Sequence, residues 1–417
     1  MMIERWIASR LSVRRGVAAS TSTGAVIAVA GVAVTVVVML LTLAIVSGFK
    51  LQIQQKVMGF DAAVSVLPPY DPDTATSENI MPVDSALISI ISAAVPQAVV
   101  VPEIRSYAIL KTDSDFMAVR FVGRDSGHDM TFERANMVSG GFPNYSDTAS
   151  RNSIVISQPM SMRLGLQPGD RVLAYFFADG QPKMRRLTID GIYRSYFGEY
   201  DDVISYASPE LLSSVYSSDG RVCSAISLEG IERDQIEDVS VELQKTLVDQ
   251  YQMGQLRHLH PVTDVLHTGA VFFNWLDLLD TNVVVIFILM AFVAGFTLIS
   301  SLFILILDRV STIGILMALG MSPRSINRIF VLIALRLTGL GILIGNAVGL
   351  GLIYAQQLWH FIPLNPEMYY LPYVPMHLDI TAFVLLNICV ALGAWLILII
   401  PARMASRTSP TEAMRFE

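Results

Sequence analysis

Four long apolar runs constrain this chain more than any other feature of its sequence. They lie at residues 21–47, 280–307, 328–358 and 379–401. A helix needs about 20 apolar residues to cross the hydrocarbon core of a membrane, and each run is long enough. The composition agrees, because 53% of the residues are hydrophobic and only 16% are charged. The runs therefore predict four membrane spans, with a large segment between the first and the second.

The charges between the runs predict which way the chain faces. The segment from residue 50 to the second run and the loop after the third run carry about 18 basic and about 32 acidic residues, whereas the remaining segments carry about 11 Arg and about four acids. The positive-inside rule then places residues 48–279 and 359–378 outside, and both termini in the cytoplasm. We expect an interfacial helix at residues 1–20, a cytoplasmic loop at 308–327 and a cytoplasmic tail at 402–417.

The outer segment has the pattern of an α+β domain without a disulfide, since Cys389 lies in the fourth run and leaves Cys223 without a partner. Helices are predicted at residues 84–94 and 232–250. We interpret the pattern as two α/β halves that flank a β-rich insert at about 112–210, in which Ala178-Asp179-Gly180 is a hairpin turn. Strands are expected at residues 62–67, 98–110, 152–156, 185–194, 222–228 and around 255–259.

Several kinds of chemistry have no motif in this sequence. It contains no phosphate loop of the GxxxxGK[ST] type and no HExxH, CxxC or GxSxG motif. We therefore expect no ATP hydrolysis by the phosphate-loop route. We also expect no bound metal or other cofactor and no nucleic-acid partner. His258, His260 and His267 could suggest a metal site, but a solvated hinge is favoured because no carboxylate or thiolate has matching spacing. Within residues 281–307, 329–359 and 380–400, the apolar interiors of the last three runs contain no Asp, Glu or Lys, so a proton relay has no obvious residues and the energy for any transport must come from elsewhere.

Two further patterns predict helix contacts. In DRVSTIGILMALGMSPRSINRIF (308–330), Gly314 and Gly320 are expected to bound a short apolar helix that docks in a groove of a partner protein. In the third run, glycines recur every four residues and predict close approach of another helix. These glycines are Gly341, Gly345 and Gly349.

The order of one span, a large outer domain and three spans resembles the permease superfamily of type VII ABC transporters, which includes MacB-like, FtsX-like and lipoprotein-releasing (Lol-type) proteins. The segment 308–330 is similar to the family's coupling segment E-R-x-x-E-I-G-I-L-x-A-L-G-A-S, although Ser311 and Thr312 depart from it. The tail PARMASRTSPTEAM is similar to P-A-R-R-A-S-R-x-x-P-x-E-A-L. Three segments resemble the Lol-type branch: VSGF to VMG (46–59), GIYRSYFGEYDD (191–202) and the hairpin DGQPKMRR (179–186).

The resemblance implies a non-catalytic permease subunit in the bacterial inner membrane, paired with a second permease as a homodimer or heterodimer. A separate cytoplasmic ATPase would bind ATP and Mg, and the subunit would release lipoproteins by mechanotransmission. A regulator of a periplasmic cell-wall hydrolase of the FtsX type and a MacB-like efflux permease remain alternatives. The ATPase-coupling residues would be Arg309, Ile313, Gly314, Ile315, Leu316, Met317 and Gly320.

Two sets of residues are candidates for the cargo side. A hairpin that recruits a periplasmic lipoprotein carrier would use Pro182, Arg185 and Arg186, although an ordinary hairpin with a basic tip has the same sequence. A cavity for the lipid anchor would lie between the first two spans, and ordinary packing is its alternative. Its candidate wall is Met39, Leu43, Val46, Phe272 and Phe273.

Overall fold

The computed structural model describes residues 23–69, 80–125, 127–178, 181–217, 220–308 and 310–405. The interfacial helix expected at residues 1–20, Arg309, the turn residues Asp179 and Gly180, and the tail beyond residue 405 therefore lie outside the described residues. The chain divides into two compact units. The first contains the described residues up to Leu51, Trp275–Pro363 and those from Tyr373 onward, and the second contains Gln52–Asn274 and Leu364–Pro372.

The helices are numbered in chain order. They are α1 (Thr23–Phe60), α2 (Ser85–Ala94), α3 (Thr131–Ala135), α4 (Gln158–Leu164), α5 (Gly198–Asp201), α6 (Pro209–Tyr216), α7 (Ile236–Gln252), α8 (Val265–Thr268), α9 (Ala270–Leu307), α10 (Val310–Ala318), α11 (Pro323–Trp359), α12 (Pro366–Tyr369) and α13 (Ile380–Ala405). Within the described ranges, four of them are long and apolar enough to cross a membrane, namely α1, α9, α11 and α13. α1 continues to Phe60, beyond the apolar run that contains it, and α9 begins at Ala270, ahead of its run.

The strands are likewise numbered in chain order. They are β1 (Val64–Val66), β2 (Met81–Pro82), β3 (Val99–Lys111), β4 (Phe116–Arg124), β5 (Met137–Gly140), β6 (Ser153–Ser157), β7 (Arg171–Ala178), β8 (Gln181–Tyr193), β9 (Ile204–Ala207), β10 (Val222–Cys223), β11 (Ala225–Glu229) and β12 (Val262–Asp264). The main sheet has the order β12-β1-β11-β3-β4-β9-β6-β8-β5, and β7 pairs with both β3 and β8. β2 and β10 form a separate antiparallel pair.

The two α/β halves expected from the sequence are interleaved in the structure. β11 lies between β1 and β3, and β1 lies between β11 and β12, with antiparallel pairing throughout. Since α2 connects β1 to β3 and α7 connects β11 to β12, these four strands and two helices have the ferredoxin-like βαββαβ topology. The β-rich insert does not form a sheet of its own, because β4 pairs with β3 along nine residues and continues the same sheet.

One predicted strand is at the wrong place. A strand was expected around residues 255–259, whereas the last strand of this unit is β12 at Val262–Asp264. Gly254 ends α7 with a positive φ of 74°, and the backbone N–H of Leu67 donates to Pro261 O at 2.8 Å. The chain therefore passes through a loop before it forms β12, which pairs with β1.

The main core of the second unit lies on one side of β3, β4, β6, β7 and β8, under α4 and α6. Phe121 and Phe176 pack in it with ring centroids 5.5 Å apart. On the opposite side of the same strands, large apolar side chains are exposed. They are Tyr107, Phe116, Phe177 and Met184, with 48–65% of their surface accessible.

Candidate functional site

The segment expected to couple to an ATPase forms helix α10, and its sequence explains where that helix ends. Gly320 has a φ of 88°; its N–H donates to Met317 O, and the N–H of Met321 donates to Leu316 O. This is a Schellman motif, which favours glycine because other residues are strained at positive φ. Ser322 then caps α11, and its side chain accepts the N–H of Ser325. Gly314 was expected to be the other boundary, but it lies inside α10.

The two faces of α10 have different surroundings. Met317 and Met321 pack against a buried cluster of α9 and α11, which includes Leu305 and Phe330. Ile315 of α10 and Leu319 of the turn that follows it are four residues apart, and they are 60% and 79% exposed. Leu316 is half-buried, and nothing lies within 4 Å of a Cβ built on Gly314. Ile313 belongs to α10, but its side chain, like all of Arg309, is outside the described part.

The structure places the glycine row of α11 against α1. A Cβ built on Gly341 would lie 2.7 Å from Val32 Cβ, and one built on Gly345 would lie 2.7 Å from Val36 Cβ. At Gly349 the same atom would lie 2.7 Å from Leu40 Cδ2. A methyl group does not fit at Gly341 and Gly345, so the close contact between α1 and α11 requires glycine at these two positions, whereas at Gly349 the end of the Leu40 side chain would have to move.

The last turn of α1 is held by the side chain of Arg124 from β4. Its Nη2 donates to Phe60 O at 2.6 Å and its Nη1 donates to Gly59 O at 3.2 Å, so two carbonyls that a helix end leaves without partners are satisfied. Arg124 is 7% exposed and also pairs with Glu103 at 2.7 Å and with Glu133 at 2.9 Å. Burial lowers the pKa of Arg124, but the two carboxylates raise it by more, so the guanidinium stays charged.

A second arginine extends this network across the sheet. Arg105 donates to the fully buried Glu103 through Nε and to Asp61 Oδ1 through Nη1 at 2.8 Å. The hydroxyl of Tyr200 donates to the other oxygen of Asp61 at 2.7 Å. Burial raises the pKa of Glu103, but Arg105 and Arg124 outweigh it and lower that pKa to about 2. Glu103 is therefore ionised at neutral pH, and it lies between the two guanidinium groups.

An aromatic cluster lies beside this network and joins four segments of the second unit. Phe60, from the end of α1, stacks on Tyr200 at 4.6 Å between centroids. Phe197 lies 4.8 Å both from Phe272, in the first turn of α9, and from Tyr370 in the loop before α13. The Nζ of Lys56 donates to the carbonyls of Ser195 and Tyr370. We call this group the aromatic junction.

Sequence reasoning identified parts of the aromatic junction without predicting how they meet. The segment GIYRSYFGEYDD supplies Phe197 and Tyr200, and Phe272 was a candidate for a lipid-facing wall. The buried charges Glu103 and Arg124 were missed. The sequence feature that could have identified them is a charged residue within an otherwise apolar strand. Such a residue is rarely buried unless it is paired with an opposite charge.

The predicted carrier-binding hairpin is the β7–β8 pair. Pro182 lies opposite Phe177, Arg185 opposite Ala174 and Arg186 opposite Leu173. Pro182 and Arg186 are exposed, whereas Arg185 is half-buried and donates from Nη1 to Met184 O at 3.1 Å. The hairpin thus combines exposed apolar and basic side chains.

The residues proposed as a lipid-facing wall belong to both units. Met39 is buried beside Leu40 and Ala44, and it lines an apolar cavity of about 270 Å³ between α1, α9 and α13. Leu43 and Val46 are half-buried. In the second unit, Phe272 joins the aromatic junction, and Phe273 is 4% exposed beneath the guanidinium of Arg233.

Two of the three histidines considered as metal ligands, His260 and His267, have other partners, and His258 is exposed. His260 Nδ1 lies 3.1 Å from Leu67 O, and His267 Nδ1 lies 2.8 Å from Asp264 Oδ1. In the part of the chain that the structure describes, no group of three or more His, Cys, Asp or Glu side chains could hold a metal ion.

Two protein families match this chain, one in the first part of its sequence and one in the last part. Residues 25–246 match the family of the MacB-like periplasmic core domain, and residues 284–410 match the FtsX-like permease C-terminal family. The lipoprotein-releasing system transmembrane protein LolC of Xylella fastidiosa (strain 9a5c) is 22% identical over 405 residues, which cover 93% of this chain and 92% of that protein.

Two solved structures match about half of this chain. The extracellular domain of the noncanonic ABC-type transporter YknZ from Gram-positive bacteria is 18% identical, with a TM-score of 0.34, and the match covers 49% of this chain and 100% of that one. The periplasmic region of MacB from Actinobacillus actinomycetemcomitans is 11% identical, with a TM-score of 0.33 and coverage of 52% and 95%.

The family matches confirm the resemblance seen in the coupling segment and the tail, and the first of them spans more than half of the chain. They also agree with four apolar helices and an α/β domain that belongs outside the membrane. The chain belongs to the family of the MacB-like periplasmic core domain and is a permease component of ABC transporters of the MacB and FtsX type.

Proposed function

We propose that this chain is the permease subunit of an ATP-driven transporter that releases lipoproteins from the outer leaflet of the bacterial inner membrane. The observation that carries the proposal is the continuity of α1, a 38-residue helix that begins in an apolar run and whose last turn is fixed to the outer domain by Arg124. A helix held in this way transmits a displacement along its axis to the domain instead of fraying at its end. LolC, a relative over nearly the whole chain, is named for lipoprotein release.

The input side of the proposal is helix α10. Ile315 of α10 and Leu319 of the turn after it form an exposed apolar surface that suits a groove on a cytoplasmic ATPase. Met317 of α10 and Met321 beyond the turn pack against residues of α9 and α11. Closure of the ATPase around ATP and Mg would displace α10, and with it the adjoining ends of α9 and α11. In this proposal the subunit itself binds no cofactor, and both termini and residues 308–327 face the cytoplasm.

The output side is the aromatic junction and the network around Arg124. Tyr200 belongs to both, because it stacks on Phe60 and donates to Asp61. α1, α9 and the loop before α13 each contribute a residue to this cluster. A movement of any of these helices would therefore act on the same part of the sheet, and a two-state change biased by nucleotide can follow.

The cargo side uses lipid chemistry. Extraction of an acyl chain costs about 0.8 kcal/mol for each buried CH₂ group, so removal of several chains needs the energy of ATP hydrolysis. Met39, Leu43 and Val46 near one end of the apolar run in α1 are proposed to border the path of the lipid anchor. The hairpin with Pro182, Arg185 and Arg186 is proposed to receive the released lipoprotein on a periplasmic carrier, because it presents basic and apolar groups together.

The decisive experiment reconstitutes the complex of this chain, its ATPase and a second permease in proteoliposomes that contain a lipid-modified protein. We expect ATP to drive transfer of that protein to a soluble carrier. Leu319→Asp should leave ATP hydrolysis intact and lower release at least about tenfold, because a charge at the exposed face of α10 weakens an apolar contact. Leu319→Met keeps the apolar contact and should release normally.

Two outcomes would overturn the proposal. Normal release by Leu319→Asp and by Gly314→Pro, which breaks α10 in its interior, would exclude this helix as the input. ATP-dependent activation of a cell-wall hydrolase without lipoprotein release would replace the proposal with the FtsX-like alternative. The hairpin is tested separately, because Arg185→Glu should reduce capture of the carrier without changing ATP hydrolysis.

A further inference from the structure

A cavity of about 760 Å³ opens on the sheet of the second unit, beside the aromatic junction. Its wall includes Arg105 and Tyr107 of β3, Arg120 of β4, Tyr200 of α5 and Val271 and Phe272 of α9. Its volume lies in the range of about 300–1,000 Å³ that is typical of ligand sites. The functions proposed above assign nothing to this cavity.

Most charged groups in the wall are already paired. Asp61 uses one carboxylate oxygen for Arg105 and the other for the hydroxyl of Tyr200. Arg105 is paired again by Glu103. Asp264 accepts from His267. These groups therefore need no ligand to balance their charge.

Among the described residues of the wall, the exposed Glu199 and Arg120 have no such partner, and of these two only Arg120 has a buried polar atom. Its Nε is buried and has no hydrogen-bond partner among the described residues, and its guanidinium forms no salt bridge within the same ranges. Tyr200 is nearby but contributes no charge, since burial raises the pKa of its phenol and keeps it neutral. A buried guanidinium donor without an acceptor is costly, and such a group in a cavity wall indicates a missing anionic partner.

The surface next to Arg120 is apolar and extended. Tyr107 lies directly opposite Arg120 in the β3–β4 register, so both side chains are on the same face of the sheet. Ile109, Tyr175 and Met184 follow on this face as one row across β3, β7 and β8. Tyr107 is 59% exposed and Val271 is 79% exposed, so the wall that contains Arg120 also offers apolar contact area.

We infer that this cavity binds an extended peptide segment, with Arg120 pairing a carboxylate side chain of that segment and Tyr107 contacting an apolar side chain beside it. An arginine fork binds a carboxylate in two parallel hydrogen bonds, and tyrosine with arginine is the pair most typical of binding hot spots. A phosphate group fits less well, because the exposed Glu199 at the same wall repels a dianion more strongly than it repels a singly charged carboxylate. The inference does not depend on which cargo the transporter carries.

The test uses the full-length protein in lipid nanodiscs and two fluorescein-labelled peptides of Val and Thr, one with a single Glu and one with Gln at the same position. Fluorescence anisotropy should show that the Glu peptide binds at least about tenfold more tightly than the Gln peptide. Arg120→Gln should remove this preference. Arg163→Gln is the matched control, since Arg163 is exposed on α4 and does not line the cavity.

Binding of the Gln peptide is the control for correct folding of each variant. If Arg120→Gln binds the Gln peptide as the unmodified protein does, the cavity is intact, and loss of the Glu preference reports the guanidinium alone. Tyr107→Ala should weaken both peptides to a similar extent. The inference is wrong if the unmodified protein binds neither peptide or binds both equally, if Arg120→Gln keeps the preference, or if inorganic phosphate displaces the Glu peptide more effectively than acetate does.

Discussion

Helices α1 and α9 have the same length and similar composition, yet their surroundings differ. Each has 38 residues, and each contains an 18-residue window with a mean hydropathy of 2.8. In α1, 39% of that window is buried, whereas in α9 only 11% is buried. The outer side of α9 carries a row of exposed apolar residues, namely Val285, Leu289, Phe292 and Phe296.

The difference comes from the neighbours of each helix. α1 packs against the glycines of α11 along one face, and its end is held by Arg124. In a membrane, an exposed apolar face such as that of α9 costs little, because lipid tails are as apolar as leucine. Hydropathy therefore identifies both helices but cannot separate a helix fixed within its own chain from one available to lipid or to a second permease.

The largest expected effect is at the end of α1. Arg124→Met removes the only cation that bridges Glu103 and Glu133 in the described structure and leaves the Gly59 and Phe60 carbonyls without these donors. Loss of one partner from a buried ion pair costs about 3–5 kcal/mol. Urea unfolding of the detergent-solubilised protein should show this loss, and amide exchange in residues 52–60 should accelerate.

The control for that variant is Arg163→Met. Arg163 pairs with Asp115 at 3.6 Å, but both side chains are well exposed. An exposed pair contributes about 0–1 kcal/mol, so stability should hardly change. Equal losses in the two variants would show that Arg124 is not an anchor and that α1 is no more firmly held than α9.

The next effect concerns the contact between α1 and the glycines of α11. Gly345→Ala puts a methyl group 2.8 Å from Ala33 O and 2.7 Å from Val36 Cβ, and overpacking of this kind costs about 1–3 kcal/mol. Gly351→Ala is the matched control on the same helix, because nothing lies within 4 Å of its Cβ. There the higher helix propensity of alanine should stabilise slightly. Thermal unfolding in one detergent compares the two, and the expected changes have opposite signs.

Much of this architecture was predictable from the sequence, because apolar runs, glycine spacing and turn residues act locally. Gly320 followed by Ser322-Pro323 marks the end of one helix and the start of the next without any tertiary information. The interleaving of β1, β3, β11 and β12 was not predictable, since strand order depends on contacts between distant segments. The partners of Arg124 and the unpaired Nε of Arg120 could not be predicted either. Both are arginines on β4, and only the folded structure shows which of them meets carboxylates from other segments.

A smaller effect should be a pH dependence of the free energy of unfolding. It arises at the group of residues around Arg124 that holds the end of α1, which we call the α1 anchor. His128 lies between Glu133 at 2.8 Å and Glu229 at 2.6 Å, with Arg124 Nη1 at 3.2 Å from its ring. Burial lowers the pKa of His128, but the hydrogen bonds to the two glutamates raise it by more, to about 9. Because the folded pKa is raised, the stabilisation is complete below about pH 6.5 and is lost as the pH rises through 9.

The measurement is the free energy of unfolding between pH 6.5 and pH 9.5. We expect a decline on the order of 1 kcal/mol, and His128→Gln should flatten it. His258→Gln serves as the control, since His258 is exposed and outside the anchor. An unchanged slope in His128→Gln would assign the pH dependence to another group.

The smallest effect on stability is expected on α9. Phe292 is 61% exposed, so Phe292→Ala removes a side chain that the rest of this chain hardly contacts, and the unfolding temperature of the isolated subunit should stay nearly the same. Its effect should appear instead in the assembled transporter, if the row from Val285 to Phe296 meets the second permease. Phe292→Cys, in a chain whose Cys223 and Cys389 are replaced by Ser, should then form a crosslink to that permease, whereas Val34→Cys on α1, at a comparably exposed position, should not. Equal crosslinking at both positions would mean that exposure in the single chain does not distinguish the two helices, and the contrast between a fixed α1 and an available α9 would fail.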